Sequence, residues 1–434
     1  MQESIKKRIE AVRRGAVPEG YNTDRAMLFP KEWGEPVALN TVLLENKDRN
    51  EDLRFGKDDV LSVSGERGIV NQIDLLGRSY AGESVAPYHI VETGDVVYTK
   101  SPLKQNPYGI IKQNRSKPGI VSTLYAVYHC SSPITGQYLE NYFCIDTFLN
   151  NYLKPLVKRG AKNDMKVNNE EVLLGRIPMP PIEEQRKINS LIAQFDRVID
   201  LKQKLIEEKR RQKQWLMQKL LDPNSGVRLP GYEQSEWVEV SLRDCCIGKG
   251  EYGLNAPACE YSPELPQYIR ITDIDDNGKY MKTSPVSVDT LEADDYYLHE
   301  GDLLFVRTGG TTGKVYRYEK SDGLLVFAGF LIRFSINLKH FDAGFVYSQF
   351  ETKEYANWVK VMSMRSGQPG INAEEYGGFR FWVPKARMEQ QAIASILDCK
   401  DCELDLLMKD LKCWQQKKKA LMQLLLTGLV RVNA

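Results

Sequence analysis

EQRKINSLIAQFDRVIDLKQKLIEEKRRQKQWLMQKLLD, residues 184–222, returns as EQQAIASILDCKDCELDLLMKDLKCWQQKKKALMQLLLT at 389–427. The offset is 205 residues from Glu184 and Glu389 through Leu216-Met217-Gln218 and Leu421-Met422-Gln423, without a gap. Apolar side chains recur in steps of three and four along both segments. Ile188, Ile192, Phe195, Ile199, Ile206, Leu216 and Leu220 form one seam; Ile393, Leu397, Leu404, Leu407, Leu411, Trp414, Leu421 and Leu425 form the other. Such a seam predicts one long amphipathic helix in each segment. Pro180-Pro181 precedes the first, where a missing N–H is harmless; Asp222-Pro223 ends it and Gly428 ends the second. Lys202, Lys209, Lys213, Lys400 and Lys418 fill the remaining seam positions. Each helix could lie along its own domain, or the two could pair as a coiled coil. Rods of roughly 50–60 Å, at about 1.5 Å per residue, exceed the width of an adjoining domain and favour pairing. Copies joined through a domain would run antiparallel.

Outward from the helices, earlier landmarks also repeat. Glu32-Trp33 matches Glu236-Trp237, and Gly94-Asp95 matches Gly301-Asp302, each followed by an apolar run (VVYTK and LLFVRT). Gly119-Ile-Val-Ser matches Gly323-Leu-Leu-Val before another β-rich run. The chain therefore reads as two copies of one plan of about 205 residues, each a β-rich stretch with frequent turns followed by a helix. The expected fold class is α+β: two globular β-rich domains separated by two long antiparallel coiled-coil helices in a pseudo-two-fold arrangement. The expected segments are 1–180, with an N-terminal helix at 2–15, then 181–224, 225–385 and 386–434. The N-terminal helix has no counterpart in the second copy. It is expected to pack near Val430, where the last helix ends.

Composition fits a globular protein: 434 residues, 42% apolar and 27% charged. No apolar run is long enough for a transmembrane helix, which needs roughly 18 residues or more. The start, MQESIKKRIEAVRRG, lacks the apolar core of a secretory signal. The eight cysteines show no extracellular spacing and read as reduced thiols in a cytoplasmic protein. Net charge is only +1, so any nucleic-acid binding must rest on local runs.

Such runs exist in both copies. Val96 to Leu139 contains no acid and carries Lys100, Lys104, Gln105, Asn106, Lys112 and Arg115. In the second copy, Leu303 to Tyr318 carries Arg307, Thr308 and Lys314, also without an acid. The loop SMRSGQPG brings Arg365 and Gln368, and the similarly placed KRGAKND brings Arg159 and Lys162. Lys and Arg suit phosphate and guanine, Asn and Gln suit adenine, so these are the candidate DNA-binding residues. A single such window is as often a solvated loop; recurrence at matching places favours DNA. The charged helix faces, Glu207 to Arg211 and Lys417 to Lys419, suit either solvent or docking of partner subunits.

Catalytic patterns fail. GKGEYG at 248–253 is followed by a proline-containing stretch rather than the helix a dinucleotide site requires. GGTTGKV at 309–315 has Val315 where a P-loop needs Ser or Thr. NPYG at 106–109 lacks the second proline of amino-methyltransferases and a glycine-rich cofactor loop, and reads as a turn. Cys399 and Cys402 have no second pair for zinc and are expected as buried thiols. His89, His129, His299 and His340 have no partners in sequence. No catalytic, cofactor or metal residue is assigned.

IPMPPIEEQRKI (177–188) running to QKQWLMQKLL (212–221), and VPKARMEQQAI (383–393) running to KKKALMQLLL (417–426), resemble the Type I restriction-modification specificity subunits. IRITDIDDNGKY (269–280), GDLLFVRTGGTTGKV (301–315) and FAGFLIRF (327–334) are similar to that family's target-recognition domains. The resemblance covers nearly the whole chain; TGDVVYTKSPLKQNPYG in the first copy is a less typical version. It implies a non-catalytic subunit that binds double-stranded DNA at a bipartite, asymmetric site, one half per recognition domain. The helices would set the spacer and dock two adenine-N6 methyltransferase subunits. S-adenosylmethionine and ATP would sit on partner subunits, ATP on restriction or translocase subunits. The competing classes are a fused methyltransferase or nuclease, which would need the missing motifs, and a coiled-coil scaffold whose β-domains bind protein.

Overall fold

In a computed structural model of the chain, residues 3–24, 27–100, 106–159, 165–166, 168–364 and 369–432 are described, the side chains of 158, 159, 165 and 166 excepted. They fall into two compact units, Met1–Leu201 with Leu411–Ala434, and Lys202–Asp410. The division cuts across both long helices.

The first unit opens with α1 (Glu3–Arg13). Its main sheet is antiparallel, built from β1 (Leu43–Glu45), β2 (Val96–Thr99), β3 (Ile110–Gln113) and β4 (Tyr125–Cys130) in the order β1-β4-β2-β3. Then come α2 (Gly136–Phe143) and α3 (Asp146–Leu153), the former capped by Thr135, whose Oγ1 accepts the Tyr138 N–H at 3.2 Å. The helix α4 (Ile182–Leu220) follows. Side chains alternate across a strand, so β2 feeds two cores. Val96 and Tyr98 join Tyr138 and Ile188 on one face; Val97 joins Val91, Val121 and Val127 on the other.

The second unit repeats this sheet. Here β5 (Glu251–Tyr252), β6 (Asp302–Val306), β7 (Val315–Arg317) and β8 (Leu331–Ser335) lie in the order β5-β8-β6-β7. Leu303 and Phe305 enter one core, Leu304 and Val306 another. The helices α5 (Ala343–Gln349), α6 (Lys353–Met362) and α7 (Arg387–Leu426) complete it. A second four-stranded sheet, Cys259–Glu260, Val286–Ser287, Gln267–Ile269 and Leu325–Phe327, is added here.

The shared sequence landmarks are shared hydrogen bonds. Gly94 and Gly301 hold positive φ (100° and 95°), a conformation glycine adopts without strain. The next residue closes the turn: Asp95 Oδ2 accepts the Glu92 N–H and Asp302 Oδ2 the His299 N–H, both at 2.8 Å. Asp95 also pairs with His129, and Asp302 accepts from Ser335 Oγ at 2.5 Å. The Glu-Gln pair at each helix start is equally physical. Gln185 donates to Pro133 O and Pro180 O and accepts from Thr135 N; Gln390 donates to His340 O and Pro384 O and accepts from Asp342 N. Each glutamine thus ties the helix start to the turn preceding the domain's last helices.

Both readings of the helical seam hold, on different stretches. Toward the helix ends, Ile188, Ile192, Met422 and Leu425 are part of the first unit's core, and Met217, Leu220, Ile393 and Leu397 part of the second's. Between these stretches the helices pair with each other. In the first unit Phe195 meets Trp414 at 5.4 Å between ring centroids, and Lys418 Nζ lies 2.5 Å from Asp196. In the second unit Lys202 reaches Asp410 at 2.5 Å, Lys209 reaches Glu403 at 2.5 Å, and Lys213 reaches Asp401 at 2.6 Å. In the second unit one residue number rises as its partner's falls, so α4 and α7 run antiparallel there. Lys400 instead pairs with Glu403 of its own helix. Cys399 and Cys402 are exposed, contrary to the expectation of burial, because both lie off the apolar seam of α7. No helix among the described residues is long and apolar enough to cross a membrane.

The C-terminal residues dock where the N-terminal helix was expected to meet them. Arg8 donates to Leu429 O at 3.4 Å and Tyr21 to Gly428 O at 2.6 Å. Arg431 then forms a bidentate pair with Glu184 (2.7 and 2.8 Å) and lies over the Trp33 ring at 5.7 Å. In the second unit Arg228, just after α4, lies over Trp237 at 5.2 Å. The peptide after each long helix therefore packs on the tryptophan of an equivalent Glu-Trp landmark.

Candidate nucleic-acid interface

One corner of the repeated sheet places a cation beside an exposed apolar side chain in both units. Lys100 follows β2 and Arg307 follows β6. Thr99 pairs with Tyr125, and Val306 with Leu331. The next residues outward are thus Lys100 opposite Leu124, and Arg307 opposite Phe330. Leu124 is 67% exposed and Phe330 60%. Large apolar side chains buried elsewhere in these strands here face solvent, an arrangement suited to contact with another molecule.

The second corner is more fully built. Arg307 N–H donates to Phe330 O at 3.1 Å and Arg307 O accepts from Ile371 N at 2.9 Å. Its guanidinium lies over the Tyr252 ring, 4.7 Å from the centroid. Tyr252 is fixed in turn: its hydroxyl accepts the Ala373 N–H at 3.2 Å. Thr308 Oγ1 donates to Pro369 O at 3.3 Å. Among the described residues Arg307 has no carboxylate partner. In the first unit the equivalent register position to Tyr252 is Lys47, which pairs with Glu170 at 3.2 Å and Glu45 at 3.8 Å. Lys100 is half-buried; burial holds its ammonium below the usual lysine range, with Glu45 opposing the shift.

The other candidates are dispersed. Lys112 is 7% exposed; its ammonium donates to Cys144 Sγ at 3.1 Å and lies 4.0 Å from Glu140. It is a core residue, and its candidacy for DNA contact is dropped. Arg115 remains half-exposed, with Nε 2.8 Å from Glu140 Oε2. Glu140 immediately follows the acid-free window that ended at Leu139, so the window's edge hid the acid that neutralises it. Asn106 is held by Asp146 at 3.0 Å, at the start of α3. Lys314 is bonded to Ile274 O and to Asp276 at 3.0 Å and is largely buried, so its charge is already used within the domain. Arg159 lies on the short strand Lys158–Arg159, and its side chain is outside the described set. Lys104, Gln105, Lys162, Arg365 and Gln368 lie outside the described residues. Sequence reasoning missed Tyr252, Phe330 and Leu124. Tyr252 sits inside GKGEYG, the motif rejected as a dinucleotide loop, and nothing in the linear sequence marks its stacking.

Two of the histidines have structural roles. His89 is buried, and burial together with the nearby Arg49 pushes its pKa down to about 4. His129 is the partner of Asp95.

Residues 234–411 match the family model of the Type I restriction modification DNA specificity domain. That stretch is similar to Type I restriction-modification specificity domains. The matched stretch holds β5 to β8 and the Arg307 corner, and ends within α7. The MjaVIII Type I specificity subunit of Methanocaldococcus jannaschii is 25% identical over 278 residues, 59% of this chain and 63% of that protein. The chain spans under two thirds of the length of the curated relatives it matches, 63% and 65%. The S subunit from M. genitalium shares the fold with a TM-score of 0.55 at 12% identity, over 90% of this chain and 95% of that one. A chain solved in work on assembly and conformational transition of the type I R-M system gives 0.55 at 16%, over 96% and 99%. For this chain, those likenesses carry the fold; the sites follow from its own residues.

Proposed function

We propose that this chain is the DNA-reading, non-catalytic subunit of a Type I restriction-modification complex. Each β-rich domain binds one half of a bipartite site on double-stranded DNA. The long helices, 39 and 40 residues, are about 60 Å in length and fix the spacer between the halves. Their outer faces dock methyltransferase subunits, two in the complete complex, with restriction subunits as further partners. Adenine methylation requires the base to leave the stack, and that step belongs to the partner. S-adenosylmethionine and ATP belong on those partners as well.

The observation that carries this reading is the recurrence of one corner, cation beside exposed apolar residue, on two domains of the same topology with different side chains. Two similar heads with different chemistry suit two different half-sites. The fixed Gly-Asp turns and glutamine ties hold each head rigid, which direct base reading requires.

Retention of random duplex DNA in a gel, with the full chain at about 50 and about 200 mM salt, tests it. If about four phosphates are neutralised by Lys and Arg, affinity is expected to fall roughly a hundredfold between the two. A protein-binding scaffold would show no salt-sensitive retention.

A further inference from the structure

We infer that Arg307, backed by Tyr252 and flanked by Phe330, reads a guanine in the half-site bound by the second domain; this rests on the reading of the chain as a sequence-specific DNA binder. The corner offers a guanidinium with no carboxylate partner among the described residues. Other arginines of the same sheet are occupied: Arg317 by Asp398 at 3.0 Å, and Arg333 by Glu251 and Tyr297 O. Stacking on Tyr252 restricts the guanidinium plane while leaving its edge N–H groups to donate. A planar, preoriented fork matches the paired acceptors O6 and N7 that guanine presents in the major groove. A guanidinium used for phosphate alone has no need of a fixed plane. Phe330, 60% exposed and hydrogen-bonded through its backbone to Arg307, supplies an apolar surface beside the fork. That surface suits the methyl group of a neighbouring thymine.

The first domain supports the assignment by contrast. Lys100 replaces Arg307, Leu124 replaces Phe330, and the aromatic platform is absent because Lys47, itself paired with Glu170, stands at the register position of Tyr252. A lysine without a platform is a point charge with weaker base preference. The strict single-guanine preference should therefore belong to the second half-site.

Selection from a random duplex library by the full chain tests this, comparing the parent with Arg307→Ala, Arg307→Lys and Phe330→Ala. Arg307→Ala is expected to lose preference for one guanine by roughly five- to 150-fold, with the other half-site unchanged. That unchanged half-site also reports that the variant is folded. Arg307→Lys should retain part of the preference, and Phe330→Ala should relax only the adjacent position. If Arg307→Ala weakens binding evenly without altering any base preference, Arg307 is a phosphate contact and the inference is overturned. If the parent chain enriches no sequence at all, the proposed function fails and the inference with it.

Discussion

Glu184→Ala is expected to destabilise the first unit by roughly 3–5 kcal/mol, because it strips the partner from a charged group in a mostly buried site. Glu184 is 3% exposed and receives three donors: the Trp33 indole at 3.1 Å and two guanidinium N–H groups of Arg431 at 2.7 and 2.8 Å. Those contacts hold Arg431 above its ordinary pKa, the hydrogen bond to Glu184 contributing most, and the guanidinium, intrinsically strongly basic, stays charged when that partner is removed. Glu32, at 2.6 Å, is exposed and replaces little of the lost interaction. The second unit provides an internal comparison. Glu389 occupies the equivalent position but accepts from the Ser235 hydroxyl, a neutral donor. Glu389→Ala should cost only about 1–2 kcal/mol. Thermal unfolding of both variants measures the difference; a drop of roughly 6–20 °C is expected for Glu184→Ala. Equal, small shifts for the two would show that the Arg431 contact contributes little.

Lys213→Ala should be comparably damaging, again roughly 3–5 kcal/mol. The Lys213 ammonium is nearly buried and bridges Glu351 at 2.8 Å and Asp401 at 2.6 Å. Burial alone would lower its pKa, but the two carboxylates outweigh it and the net displacement is upward. Removing the lysine leaves two carboxylates facing each other with no cation between them. Burial already raises the pKa of Glu351, so the loss should be partly relieved by protonation below neutral pH. Among the described residues, the equivalent in the first unit, Lys418, pairs with Asp196 alone, and both are more exposed. Lys418→Ala is expected to cost about 1 kcal/mol or less. Denaturant titration of the pair separates buried charge from surface charge at matching positions. Equal losses would contradict the argument.

The long helices were legible because their seam repeats over eleven helical turns' worth of residues in two copies, and a solitary coincidence of that length is rare. Even the seam lysines were informative: four of them, Lys202, Lys209, Lys213 and Lys418, find acids on the opposing helix. What the sequence could not show was the allocation of Leu411 to Ala434 to the first unit, because antiparallel pairing joins residues more than 200 positions apart. The candidate interface was legible only in outline. Local windows pointed at residues following β2 and β6 as places of unusual charge. They could not show that Glu140 and Asp276 reach back to neutralise Lys112, Arg115 and Lys314. Nor could they show Tyr252 under Arg307, since a stacking partner 55 residues upstream is set by strand register. Charge was visible in the linear chain; its availability depended on three-dimensional pairing.

Mapping methylated adenine by single-molecule sequencing, in a genome exposed to an assembled methyltransferase complex containing this chain, tests the central claim directly. The expected result is one motif of two unlike specific halves around a spacer of a single length, lost when the chain is omitted. A single undivided motif, a spacer of variable length, or methylation that persists without the chain would contradict two reading heads on a rigid pair of helices.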